Sequence, residues 1–297
     1  MQNNVMFPPP QGQPVPANPL AMFMRQPKLY INLPSQGEYW PVGSIQMPED
    51  GNIPVYSMTA KDELMLNVPD ALMNGQAIVD IIQNCIPSIK NAWKIPNIDM
   101  DVILIGIRIA SYGEMMTTPI KINEEIEYEY KVDLRSVMSN LLASVTWNPV
   151  IPISADMTVF VKPLSYKQVT DSSLQAFETQ KIIQLSNDNS IDEDTKVKLF
   201  KDSFKKLTDA TISTITDSIF KIDTSQGSTD NPLFIRDFVN NADKEIFKVI
   251  QTHLENLKEQ NSIKPIIVPV TDAMREQGIS GDTIEIPLVF DSSTFFA

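Results

Sequence analysis

The stretch V-Y-S-M-T-A-K-D at residues 55–62 recurs in pattern as V-K-P-L-S-Y-K-Q at residues 161–168. Each copy begins with a β-favouring valine, then supplies Thr59 or Ser165 as a helix cap and Asp62 or Gln168 three residues later as the second half of a capping box. Similar patches follow, D-I-I-Q at residues 80–83 and K-I-I-Q at residues 181–184. This order predicts two related units, each opening with strands and continuing with helices.

Composition divides the chain into three parts. Half of its 22 prolines fall before residue 55, and residues 1–28 mix Pro, Gln and Asn with almost no charge, which predicts a disordered arm. We expect an α+β unit over residues 29–150 and a second, helix-rich unit over residues 151–297, a divergent repeat of the first. The fold class is therefore predicted to be α+β, a strand meander plus helices, duplicated in two halves.

Hydrophobic periodicity places the elements of the first unit. Alternating apolar residues from Leu29 to Met47 predict the opening strand meander. A helix is expected to begin at Asp99 and to stop at Gly113. Alternation over residues 120–132 predicts a hairpin, and residues 134–145 a short helix.

The second unit carries two long helical patterns. Apolar residues at helical spacing predict one helix through residues 200–222 and another through residues 235–257, the latter capped near Asn231 or Asp230. We expect both helices to pack in the core. Residues 265–269 are predicted to form a loop, and residues 283–290 the last strand.

Composition excludes several classes of function. A net charge of −13 disfavours binding to nucleic acid. With His253 as the single histidine and Cys85 as the single cysteine, we expect no metal site, no cofactor and no catalytic triad. The sequence has no glycine-rich phosphate loop, so no small-molecule ligand is expected. The apolar runs are too short for a membrane span, and no secretory leader is recognisable, so we expect a protein of the cytoplasm.

Three segments are candidates for contact with partner proteins. The apolar residues of the arm, Phe7, Met22 and Phe23, could bind a partner. The arm could equally be a flexible terminus that has no role. Glu125, Glu127 and Glu129 alternate along the hairpin and form either an acidic edge or a half-exposed strand. The adjacent rings of Phe295 and Phe296 at the C-terminus either insert into a partner or pack on the chain's own body.

Several short segments resemble, in their order, the T4-type phage baseplate protein family: L-P-S-Q-G at residues 33–37, S-M-T-A-K-D-E-L at residues 57–64, D-A-L-M-N-G at residues 70–75, N-C-I at residues 84–86, D-M-D at residues 99–101 and R-I-A-S-Y-G-E at residues 108–114. The resemblance covers residues 29–145 well. Some similar sequences carry paired cysteines after the Tyr-Gly turn, but residues 115–123 here have none, so no zinc site is carried over.

The resemblance implies a structural or assembly protein of the baseplate hub of a contractile-tailed bacteriophage, without enzymatic activity. Its partners would be other tail or baseplate hub proteins. It would be located in the host cytoplasm during assembly and in the baseplate of the virion. One alternative is a chaperone of the tail tape-measure protein that is absent from the mature virion. A more distant alternative is a cell-wall hydrolase, which would need a pair of carboxylates in a cleft.

Overall fold

The computed structural model describes residues 24–66, 75–121, 127–186, 192–276, 278–286 and 288. Over these residues the protein has the expected α+β architecture, with helices packed against small antiparallel sheets. A duplication of one unit within the chain stays a hypothesis.

The first part of the chain consists of β1 (Leu29–Ile31), β2 (Ile53–Val55), α1 (Ala60–Leu66), α2 (Gln76–Cys85), a 3-10 turn (Ala92–Lys94), α3 (Asn97–Tyr112), β3 (Met115–Lys121), β4 (Glu127–Asp133) and α4 (Leu134–Ser144). It is followed by β5 (Val150–Ser154), β6 (Met157–Val161), α5 (Tyr166–Ser186), α6 (Glu193–Ser218), β7 (Ile219–Thr224), β8 (Gly227–Thr229), α7 (Pro232–Asn241), α8 (Lys244–Gln260), β9 (Ile266–Pro269), α9 (Asp272–Glu276) and β10 (Thr283–Ile286).

The first hydrophobic core surrounds α3, whose apolar residues are buried on nearly every side. The β1–β2 ribbon packs on this helix so closely that a Cβ built at Gly106 would lie 3.0 Å from Cγ2 of Ile31. Glycine therefore permits the contact. The helix ends at Tyr112, and Gly113 follows it as the predicted stop, with a positive φ of 93° that favours glycine.

The second core lies under the four-stranded sheet β5-β6-β7-β8 and is closed by α6, α7 and α8. A third, smaller cluster joins the β9–β10 ribbon to α9. The start of α5 packs on the first core, where Tyr166 stacks on Trp93 with 5.6 Å between ring centroids. Backbone hydrogen bonds from Asn97 N to Leu164 O and from Tyr166 N to Ile95 O fix this junction.

Both predicted capping boxes form. The Thr59 amide donates to the Asp62 carboxylate at 2.7 Å, and the Ser165 amide donates to Oε1 of Gln168 at 2.8 Å. Asn231 caps α7 as predicted, by accepting a hydrogen bond from the Leu233 amide. The β3–β4 hairpin and the short helix α4 also lie where the alternation and the periodicity place them.

Four predictions about elements are wrong. Ile219 and Ile222 lie in β7 instead of extending the helix that ends at Ser218. The helix expected through residues 235–257 is interrupted at Ala242 and Asp243. Residues 266–269 form strand β9 in place of a loop. The opening meander is reduced to the β1–β2 ribbon, with Ile45 in an isolated bridge to Ile89.

Candidate functional site

The L-P-S-Q-G turn at residues 33–37 is anchored by a buried carboxylate. Asp99 accepts hydrogen bonds from the Ser35 amide at 2.8 Å, from the Ser35 hydroxyl and from Nε1 of Trp40 at 2.7 Å. Asp99 is fully buried, and burial raises the pKa of this carboxyl while the hydrogen bonds oppose that rise. The helix α3 begins at Asn97, slightly before the predicted start, and Asp99 lies in its first turn, from which its side chain fixes the loop.

A second polar network joins the end of the arm to two helices. Arg25 donates to the Ser57 carbonyl at 2.6 Å, and to the carbonyl and side-chain oxygens of Asn84 at 2.6 and 2.7 Å. Asn84 in turn donates to the buried Asp62 carboxylate, which also accepts from Thr59. The residues just before β1 are therefore bound to the first core, although the sequence assigns them to the arm.

The R-I-A-S-Y-G-E segment at the end of α3 contributes a further set of contacts. The Arg108 guanidinium lies 4.4 Å from the centroid of the Tyr112 ring, and the Tyr112 hydroxyl donates to Glu63 of α1 at 3.4 Å. Ser111 accepts a hydrogen bond from the Met58 amide at 2.9 Å. These contacts join α3 to the segment before α1, so the motif residues maintain the fold.

The residues that sequence analysis considered for catalysis have ordinary structural surroundings. Burial raises the pKa of the Cys85 thiol to about 12, which suppresses the reactive thiolate. His253 is half-exposed on α8, with Nε2 at 3.0 Å from the Asn148 carbonyl. Within the described ranges, no group of three or more His, Cys, Asp and Glu side chains is placed to hold a metal ion. Nor does any helix of the described residues combine the length and apolar character needed to cross a membrane.

Of the predicted contact residues, the structure places two. Glu127 pairs with Lys121 in the β3–β4 register, and the exposed Glu129 pairs with Pro119. The remaining predicted contact residues lie outside the described residues: Phe7, Met22, Phe23, Glu125, Phe295 and Phe296.

An apolar and basic stripe runs along the outer face of α6. Val197 is 64% exposed and Phe204 is 63% exposed, on a helix whose opposite side packs against α5. Lys201 lies between them at helical spacing, and residues 196–206 contain five lysines and one aspartate. We refer to Val197, Lys201 and Phe204 as the α6 stripe.

Helical spacing predicts that Phe204 packs in the core, and this prediction is wrong, because the side chain is largely exposed. Toward the end of α6 the same helix face buries Ile215 in the second core, but the part that carries Val197 and Phe204 has no covering element among the described residues. The signal that could have revealed the stripe is the lysine-rich run K-V-K-L-F-K-D-S-F-K-K-L at residues 196–207.

Comparison with known proteins gives one family. The model of the family described as "T4 bacteriophage base plate protein" matches residues 26–272, which is most of the chain. Comparisons with curated proteins and with solved structures found no significant match. The match spans both main hydrophobic cores and the α6 stripe, so it is not confined to the segments whose order resembles this family. The chain therefore belongs to the T4 bacteriophage base plate protein family.

Proposed function

We propose that the protein is a non-enzymatic structural or assembly component of the baseplate hub in a contractile phage tail. The observation that carries the proposal is the α6 stripe, in which two large apolar side chains are exposed next to a cluster of lysines. Neighbouring apolar side chains exposed beside polar groups are typical of an interaction site, in which an apolar centre is surrounded by a polar rim.

The chemistry of the stripe defines the kind of partner. Burying each of the Val197 and Phe204 side chains contributes roughly 1.5–3 kcal/mol before the cost of association, so they can serve as anchors. The lysines beside the anchors attract acidic groups at this place on an otherwise acidic protein, so they favour a partner with acidic residues at the contact. An amphipathic helix with an acidic flank fits these requirements.

We place the partner among the other proteins of the phage tail and baseplate, with assembly in the host cytoplasm. The resemblance of the motif segments at residues 33–114 supports the proposed hub position. The arm residues Phe7, Met22 and Phe23, the hairpin glutamates Glu125, Glu127 and Glu129, and the tail residues Phe295 and Phe296 are proposed as additional contacts.

The experiment is purification of a tagged protein from infected cells, together with mass spectrometry of purified virions. A hub component is expected to co-purify with baseplate proteins and to be present in every virion preparation. Recovery with the tape-measure protein but absence from virions would support the chaperone function instead. If no tail protein is recovered, the proposal is wrong; clearing of peptidoglycan by the purified protein would contradict its non-enzymatic character.

A further inference from the structure

A shallow groove beside β2 has the chemistry of a proline-binding surface. It has a volume of about 440 Å³ and is lined mainly by Met47, Pro48, Pro54, Tyr56, Pro87 and Lys90. We call it the Tyr56 groove. Tyr30 extends its apolar surface, because it pairs with Pro54 in the β1–β2 register and is 59% exposed.

The N-terminal arm matches this groove in composition. Residues 8–19 contain six prolines, and the first charged side chain of the sequence is Arg25. A proline-rich segment adopts the polyproline II helix at low entropic cost, and such helices bind to grooves lined by aromatic side chains. The groove combines three prolines, a tyrosine and a methionine with the polar side chains of Gln46, Ser88 and Lys90, so it suits an uncharged apolar ligand whose backbone carbonyls accept hydrogen bonds.

The attachment point of the arm lies at the groove. The Arg25 guanidinium is 5.6 Å from the centroid of the Tyr56 ring and is fixed there by hydrogen bonds to Ser57 and Asn84. The arm therefore leaves the folded body next to Tyr56. Residues 20–23 span up to about 14 Å, and twelve residues of polyproline helix extend about 37 Å, so the prolines reach the groove from this point.

From this geometry we infer that the Tyr56 groove binds the chain's own proline-rich segment, residues 8–19. A short tether gives such a segment an effective concentration of about 1 mM, so a weak contact is occupied without a second molecule. The arm of a second copy and a proline-rich segment of another protein are the competing occupants.

The test uses the full-length protein with a spin label on the arm. Cys85 is fully buried and unreactive, so labelling is directed to a cysteine introduced by Gln11→Cys or, in a second variant, by Asn18→Cys. Methionine methyl groups carry ¹³C and are observed by NMR. Met47 reports on the groove, and Met274, buried in the third cluster, is the internal reference.

The label is expected to broaden the Met47 signal and to leave the Met274 signal unchanged. Replacing the six prolines by alanine, which changes only the arm, is expected to abolish the broadening, and so is Tyr56→Ala. Retention of the Met274 signal shows that each variant is folded. Equal effects on Met47 and Met274, or broadening that survives the proline replacements, would overturn the inference.

A mixed sample distinguishes the arm's own chain from a second copy. Spin-labelled protein without ¹³C is added to ¹³C-labelled protein without the spin label. The Met47 signal is expected to stay sharp, because each groove is occupied by its own arm. Broadening in the mixture would assign the groove to the arm of another copy and contradict the inference.

Discussion

Asp99 lies in the first turn of α3 and accepts hydrogen bonds from three donors of one loop, two on Ser35 and one on Trp40. Asn in its place would have one acceptor oxygen and would turn an N–H group toward a donor. Because an unsatisfied buried donor is costly, Asp99→Asn is expected to lower the free energy of unfolding by about 1–3 kcal/mol. Urea unfolding followed by tryptophan fluorescence measures the loss, with Asp156→Asn on an exposed turn as the control. Equal stability of the two variants would mean that the loop does not depend on Asp99.

The neighbouring Asp101 gives a pH dependence. Burial raises the pKa of Asp101 to about 6, above the value of about 3.9 in an unfolded chain. Between these two pKa values the folded protein retains a proton that the unfolded chain has released. This group therefore makes the free energy of unfolding fall as the pH rises from about 4 to about 6. Asp101→Asn is expected to remove this contribution to the pH dependence of the free energy of unfolding, which is measured by urea unfolding at a series of pH values. An unchanged pH dependence would contradict the assignment to Asp101.

The structural roles of Asp99 and Arg25 could not be predicted from the sequence. The motif around Asp99 was recognised, but its three donors come from a loop about sixty residues earlier in the chain, and sequence periodicity carries no information on such contacts. Arg25 shows the same limit. It stands in a segment of arm-like composition, and only the folded structure brings its guanidinium to Ser57 and Asn84.

The start of α5 is held against the first core by the Trp93–Tyr166 stack and by backbone hydrogen bonds to the segment before α3. Ser165 caps this helix through Gln168, directly beside the Trp93–Tyr166 stack. Ser165→Ala is expected to lower the free energy of unfolding by about 1 kcal/mol, as the loss of a helix cap generally does. The matched control is Ser173→Ala, at an exposed position of the same helix. A loss as large in the control would show that the effect does not arise from the cap.

Helix ends were predicted well where they depend on local hydrogen bonds, as at Asn231 and Gly113. The strand β7 was missed for a physical reason. Its register with β6 shifts at Phe220, so the two inward residues, Ile219 and Ile222, are three positions apart. Three-residue spacing is typical of a helix face, and a strand acquires it only through such an irregularity.

In the molecule as a whole, sequence periodicity predicts the apolar face of a helix more readily than it predicts which element packs on that face. Val197, Phe204 and Ile215 share one face of α6 at regular spacing, so periodicity alone treats them alike. The structure buries Ile215 beneath the sheet and leaves the other two exposed. This difference separates the buried part of the helix face from its exposed part, and it depends on where α7 and α8 pack. The division into units at residues 29–150 and 151–297 stays a prediction.

The protein is expected to bind its partners through the α6 stripe. This expectation is tested by recovering tail and baseplate proteins from infected cells with the double variant Val197→Glu and Phe204→Glu. The matched control is Val42→Glu, at a fully exposed valine of the first part of the chain. Since both stripe positions are exposed, the melting temperature should not change, while binding to at least one tail protein should weaken by about tenfold or more. Recovery of the same tail proteins in the same amounts by the variant and by the control would contradict this expectation.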